Sequence, residues 1–356
     1  VDVNTPLGQA SWSVTGPQTL NFNGANTHVV TALSSAANSI VNITDAGTTL
    51  QVGAGTVNGA IGGSGSLLKT STGILALDGV NTYLGSTKIS GGTINLGVAD
   101  AIAASKSVEV DVNTTLGMKS FDQVLQDLTG AGTITMGSGD LTAQNTADTL
   151  FTGKISGTGD LIKTGTGVLT LSGLTNSVGA TSVNAGTLHF AQIGDFATTG
   201  LTVNTGATAQ LASTAQVVST GATDIEGTLD VTLGGSTAKI NSDTATLGSG
   251  SALSVTGFNP AAATKASDLS TARTVIIQTT NGITGDFATV TGLTPSGVDY
   301  YFNDAKLSAD SKTYSLGSEL AWTSGTAQAT GNFTLTDAGD AFNVDVALGD
   351  ETANGA

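Results

Sequence analysis

Residues 61–96 read IGGSGSLLKTSTGILALDGVNTYLGSTKISGGTINL, and residues 155–190 read ISGTGDLIKTGTGVLTLSGLTNSVGATSVNAGTLHF. Fifteen of these 36 positions are identical at one constant, ungapped offset of 94 residues. They include Gly63/Gly157, Leu67/Leu161, Lys69/Lys163, Leu75/Leu169, Leu77/Leu171, Gly79/Gly173 and Gly92/Gly186. Leu75, Leu77 and then Ile89 alternate with Ala76, Asp78 and Lys88, the period-two pattern of a strand with one buried face. Gly73, Gly79, Gly85 and Gly92 punctuate the pattern about every six residues, and glycine enters turns at positive φ without steric cost. A hairpin meander would favour longer strands and two-residue Asn-Gly or Asp-Gly turns. Short strands between evenly spaced corners instead predict an all-β fold, a right-handed single-stranded parallel β-helix with coils about 4.8 Å apart. At about 20–25 residues per coil the chain would make roughly 15–17 coils and a rod of about 70–80 Å. Leu75, Leu77, Leu169 and Leu171 are expected inside, Ala76 and Thr170 outside. Gly79 and Gly173 are expected at turns, at least one with positive φ.

Composition supports that reading and excludes others. The 356 residues include 49 Gly but only 4 Pro, without the strict Gly period of collagen. Hydrophobic residues make up 39%, too many for disorder, and charged residues only 11%. The net charge is −16, from 27 acidic against 11 basic residues, and Arg273 is the single arginine. That balance argues against nucleic acid and anionic membrane as partners. No cysteine is present, so no disulfide framework is expected. No apolar run approaches the length of a membrane helix. The start at Val1 lacks a signal peptide, and 353–356 look like a cut inside a longer polypeptide.

The two copies resemble the autotransporter-associated β-strand repeat, whose pattern runs close to G-x-G-x-L-x-K-x-G-x-G-x-L-x-L-S-G, then N-T-Y-x-G and a G-T-L strand. Residues 157–173, GTGDLIKTGTGVLTLSG, follow it closely, and Asn81-Thr82-Tyr83-Leu84-Gly85 supplies the next element in the first copy. The second copy departs there, with Thr175-Asn176-Ser177. The resemblance covers 60–190. It implies a passenger domain that a Gram-negative bacterium moves through an outer-membrane barrel to the cell surface, with membrane contact only through a C-terminal translocator barrel missing from this sequence. Residues 1–257 are expected to form the repeat-bearing β-helix. Residues 258–356 are expected to form a β-rich continuation with aromatic-bearing rungs, where 260–265 break the rhythm and Tyr300, Tyr301, Tyr314 and Trp322 concentrate.

Catalytic and cofactor chemistry finds little support. His28 and His189 are the only histidines, and a solvent-facing structural role is expected for both. The trypsin-like G-D-S-G motif is absent, and 62–66 fail the nucleophile-elbow spacing. The calcium nonapeptide and the complete G-x-G-x-x-G also fail, so no metal, catalytic or cofactor residues are assigned. A β-helical polysaccharide lyase or glycosidase is the enzymatic alternative, and a passive stalk presenting another module is a third.

In line with the passenger resemblance, the expected function is adhesion, to a host matrix protein or glycan, or to the same protein on a neighbouring cell. The candidate ligand-binding residues are Asp100, Asp111, Asn113, Asp122 and Asp127. They lie in 100–127, which breaks the glycine rhythm, includes a helix-like interruption over 111–127, and would protrude or cap. The competing expectation is that Phe121, Val124, Leu125 and Leu128 pack on the core and leave the acids as solvated surface.

Overall fold

The computed structural model describes residues 1–4, 10–234, 239–258, 273–293, 301–320, 335–337 and 340–342. Among the described residues all regular structure is β, and stacked parallel strands form a solenoid of about 12 turns. Each regular coil has three faces joined by corners. The first face runs through Ala60–Gly63, Gln123–Gln126, Leu141–Gln144, Leu161–Thr164 and Ala180–Val183. The second runs through Ser66–Lys69, Thr87–Ile89, Val108–Val110, Thr149–Phe151, Val168–Leu171 and Thr187–Phe190. Ile74–Leu77, Thr93–Leu96, Thr115–Gly117, Thr133–Gly137, Lys154–Gly157 and Gly194–Thr198 lie on the third. Parallel pairing sets Leu75 against Ile94, Leu169 against Leu188 and Leu141 against Leu161.

The register is the one the sequence predicts. Leu75, Leu77, Leu169 and Leu171 are fully buried and belong to one continuous core with Ile94, Leu116, Ile134, Phe151 and Leu188. Ala76 and Thr170 lie on the outer surface of their strands. Each buried leucine contributes about 1.5–3 kcal/mol relative to exposure, so stacked rows supply cohesion that no disulfide provides.

Four expectations change. The coil count falls to about 12 because the uninterrupted parallel winding does not extend through the C-terminal part. Thr274–Gly285 pairs in parallel with Ile240–Leu247 on one side but antiparallel with Thr313–Leu320 on the other. Tyr301–Leu307 then adds a further antiparallel strand, and buried Tyr314 packs edge-on against Phe287. Residues 260–265, Tyr300 and Trp322 lie outside the described residues. Second, neither Gly79 nor Gly173 has positive φ; positive φ falls at other repeat positions, among them the matched Gly92 (φ 65°) and Gly186 (φ 64°). Gly79 and Gly173 do lie outside strands, and close approach explains their lack of a side chain. A Cβ on Gly79 would run into the carbonyl of Gly59, and one on Gly173 into the carbonyl of Gly153.

Third, His28 is buried rather than solvent-facing, because it takes an inward position of Thr27–Ser35. Its Nε2 lies 3.0 Å from the Asn23 carbonyl, and its ring packs on Phe22. His189 does face outward from Thr187–Phe190 and is half-buried. Fourth, 111–127 is not helical. It passes through Thr115–Gly117 into Gln123–Gln126, and Ala101, Ile102, Leu116, Leu125 and Leu128 lie in the core. Phe121 stays exposed and Val124 faces outward.

Candidate functional site

Three of the five expected site residues border the first face. Asp100 and Asp122 stand at its entry, and Asp127 directly follows Gln123–Gln126 at its exit. Asp111 and Asn113 sit apart, at the corner between Val108–Val110 and Thr115–Gly117. There Asp111 lies 3.4 Å from the Lys88 ammonium, which pairs more closely with Glu109 at 2.7 Å. The Glu109 hydrogen bond, aided by the nearby charge of Asp111, pushes the Lys88 ammonium up in pKa.

The carboxylates at the entry edge tie coil to coil. Asp100 Oδ1 accepts the Val124 N–H at 3.2 Å, and Asp122 Oδ1 accepts the Asp140 N–H at 2.8 Å. Asp140 Oδ1 accepts from Asp160 at 2.8 Å, and Asp160 Oδ1 from Ala180 at 2.7 Å. At the exit edge Asp127 Oδ1 accepts the N–H groups of Thr146 and Ala147, and Asp148 Oδ1 accepts that of Val168. These bonds satisfy the corner amides of Asp140, Asp160, Thr146 and Ala147 and the amides at or near the strand starts of Val124, Val168 and Ala180. Asp100, Asn113 and Asp127 also adopt left-handed backbone, with φ of 52°, 62° and 38°, a conformation Asp and Asn tolerate better than most residues. Between the two acidic edges the outward side chains include Val124 and Thr142, and the same row continues past them through Ile162, Ser182 and Thr202.

Sequence reasoning missed Asp140, Asp148 and Asp160. The signal was available, since Asp122, Asp140 and Asp160 each immediately precede a strand of the same face. It also missed what the shared repeat lysines do. Lys69 is fully buried, and its ammonium donates to the carbonyls of Thr70, Ser71 and Gly91 at 2.6, 2.9 and 2.9 Å. Lys163, equally buried, donates to Thr164, Gly165 and Ala185 at 2.6, 3.0 and 3.2 Å. Burial pushes both ammonium groups down to about 8. Three acceptors match the three donors of a lysine, so each clamps its own corner to that of the next coil.

No group of three or more His, Cys, Asp or Glu stands together as a metal site among the described residues. His189 is stacked between Thr170 and Gln210 in register, and burial pushes its imidazole down against the opposing pull of Asp230.

A rod of stacked coils with carboxylates lining the edges of one face is a repeat solenoid, an architecture that presents extended surfaces. The Passenger-associated-transport-repeat family model matches residues 67–96 and 161–189, the two copies that the sequence sets in parallel. The chain is also similar to the adhesin BmaC autotransporter of Brucella suis biovar 1 (strain 1330), with 31% identity over 140 residues. That match covers 39% of this chain, which spans 4% of the length of that protein. With the solenoid, these similarities support an autotransporter passenger domain.

Proposed function

We propose that this passenger segment is adhesive and non-enzymatic, works at the cell surface or after secretion, and holds its partner along the first face. The observation that carries the reading is the pair of aspartate files, Asp100–Asp122–Asp140–Asp160 on one edge and Asp127–Asp148 on the other, bracketing the outward side chains of Val124 and Thr142, whose row continues past the files through Ile162, Ser182 and Thr202. Asp122, Asp140 and Asp160 each engage the backbone through Oδ1, which leaves Oδ2 to face a partner. The chemistry suits a basic segment of a host matrix protein or a hydroxyl-rich glycan. The similarity to the Brucella adhesin supports the same direction.

The test uses Asp122→Asn, Asp140→Asn and Asp160→Asn together. Asparagine keeps the Oδ1 acceptor and removes the charge, so the coil should stay folded by circular dichroism. Purified wild-type and variant protein are compared on immobilised matrix proteins, basic peptides and glycans. Loss of adhesion with an unchanged melting curve supports the first face; adhesion at the wild-type level sinks it.

A further inference from the structure

We propose that the third face is a self-complementary docking surface for a second copy of this chain, joined with the two rods antiparallel. The proposal concerns a different surface from the acidic-edged first face and does not rest on it. The outward row at the centre of the third face runs Asn95, Gly117, Thr135, Ser156, Ser177, Ala197, Val218, Asn241 and Gln278, each in register with the next. All are uncharged, and most are small. On a chain of net charge −16, such a row is where two copies approach without like-charge repulsion.

The charges that border this row are arranged by sign. Take the coil of Ser177 as the middle. One coil before it stands Lys154, two residues ahead of Ser156; one coil after it stands Asp195, two residues ahead of Ala197. Lys154 and Asp195 therefore occupy the same outward row at equal distances from the middle, and both are exposed. Three coils before the middle stands Lys119, two residues past Gly117; three coils after it stands Asp243, two residues past Asn241. These two share the opposite edge. Lys239, in the same region, turns inward to the carbonyls of Ala212 and Ser213. Among the described residues from the coil of Asn95 to that of Asn241, the lower half of this face carries two lysines and the upper half two aspartates. Lys119, Lys154 and Asp195 have no side-chain hydrogen bond or ion pair within the described chain, and Asp243 accepts one from Asn281 at 2.6 Å.

A two-fold axis lying between two such faces, along the strand direction at Ser177, maps each coil before the middle onto the matching coil after it. Lys154 then meets Asp195 of the second copy, Lys119 meets its Asp243, and both pairs occur twice. Such an isologous contact closes on itself. Nine coils at about 4.8 Å and three outward rows about 7 Å apart give about 500 Å² per copy. The total, about 1,000 Å², sits at the lower bound for a specific interface. Each contact is weak alone, and many copies on apposed surfaces would act together.

Sedimentation velocity on the purified protein tests this. Wild type is expected to show a monomer–dimer equilibrium at low salt that shifts to monomer as salt screens the pairs. Lys119→Glu with Lys154→Glu makes the face uniformly acidic and should abolish the dimer. Asp195→Lys with Asp243→Lys should abolish it too, by making the face uniformly basic. Mixing the two double variants should restore a dimer, and so should all four changes in one chain, an outcome that misfolded protein could not produce. A wild type that stays monomeric at every concentration, or double variants that dimerise like wild type, overturns the proposal. For the arrangement, proteins carrying Ser156→Cys and Ala197→Cys are mixed with a short bismaleimide, since facing sheets lie about 10 Å apart. The antiparallel pair links the two variants to each other. Linkage of the Ser156→Cys protein only to itself would overturn the antiparallel arrangement.

Discussion

The two repeat copies share their sequence pattern but not their place on the rod. In the first copy Ser66–Lys69 lies on the second face and Ile74–Leu77 on the third. The second copy sets Leu161–Thr164 on the first face and Val168–Leu171 on the second. The 94-residue offset carries the chain through four coils and two further faces, so the second copy lags by one face. Lys69 consequently clamps the corner between the second and third faces, whereas Lys163 clamps the one between the first and second. The repeat thus specifies strand, corner, strand and a buried clamp, and leaves open which side of the rod they occupy. Inward residues obey the repeat; outward residues, which a partner meets, obey the stacking.

The sharpest challenge to that equivalence is steric. Gly79→Val and Gly173→Val each drive a side chain into the carbonyl of the preceding coil, Gly59 or Gly153. Each should cost about 3 kcal/mol or more, at the upper end of overpacking effects, seen as a large fall in thermal midpoint. Similar losses at both sites would support equivalence across faces. A mild effect at either would break it.

Next in size are the lysine clamps. Lys69→Met and Lys163→Met each orphan three carbonyls and should cost about 2 kcal/mol, since an unsatisfied buried acceptor is expensive but a buried charge is removed as well. They also carry a pH signature. Burial holds both folded ammonium groups near 8, below the ordinary 10.5. Below pH 8 both states are protonated and the burial penalty is fully present. Between pH 8 and 10.5 the unfolded chain binds more protons, so stability should rise with pH. Urea midpoints across that window should climb less steeply in each Met variant than in wild type; parallel slopes would refute the clamp's titration.

Much of this was legible in the sequence, for physical reasons. Strict alternation around Leu75 and Leu169 fixes which side chain faces inward, because a slip of one residue would expose every leucine. The phase shift between copies was hidden, because it accumulates from coils of unequal length: Leu116 pairs 18 residues ahead with Ile134, but Leu141 pairs 20 ahead with Leu161. His28 was misplaced because a lone imidazole in a strand gives no sign of its side, and only the register of Thr27–Ser35 turns it inward. Among the candidate site residues, proximity along 100–127 joined Asp111 and Asn113 to residues that the winding assigns to another corner.

A smaller test concerns the place where the copies diverge in sequence. Asn81 Oδ1 accepts the Ile61 N–H at 2.8 Å, and Asn176 Oδ1 accepts the Ile155 N–H at 2.8 Å. Asn176 sits one residue later than the alignment places it, and Thr175 absorbs the extra residue with φ of 61°. Asn81→Ala and Asn176→Ala should each cost about 1–2 kcal/mol by orphaning a buried amide, and should raise hydrogen exchange at Ile61 and Ile155 respectively. An effect at Asn81 without a counterpart at Asn176 would mean that the second copy has lost this cap.

The smallest effect belongs to the outer ladder, and it separates inward logic from outward logic. Asp140 Oδ1 holds the Asp160 N–H at 2.8 Å, but at the rod surface, where water can take its place. Asp140→Ala should therefore cost only about 0.5–1 kcal/mol, less than either Asn substitution, although the hydrogen bond is equally short. Asp140→Asn keeps an acceptor at the same position and should leave stability within about 0.5 kcal/mol of wild type. Amide exchange at Asp160 is the local reporter. It should accelerate in the Ala variant and stay near wild type in the Asn variant. If Asp140→Ala destabilised as much as Asn81→Ala, the carboxylate files would be part of what holds the coils together, and their residue identity would need no partner to explain it.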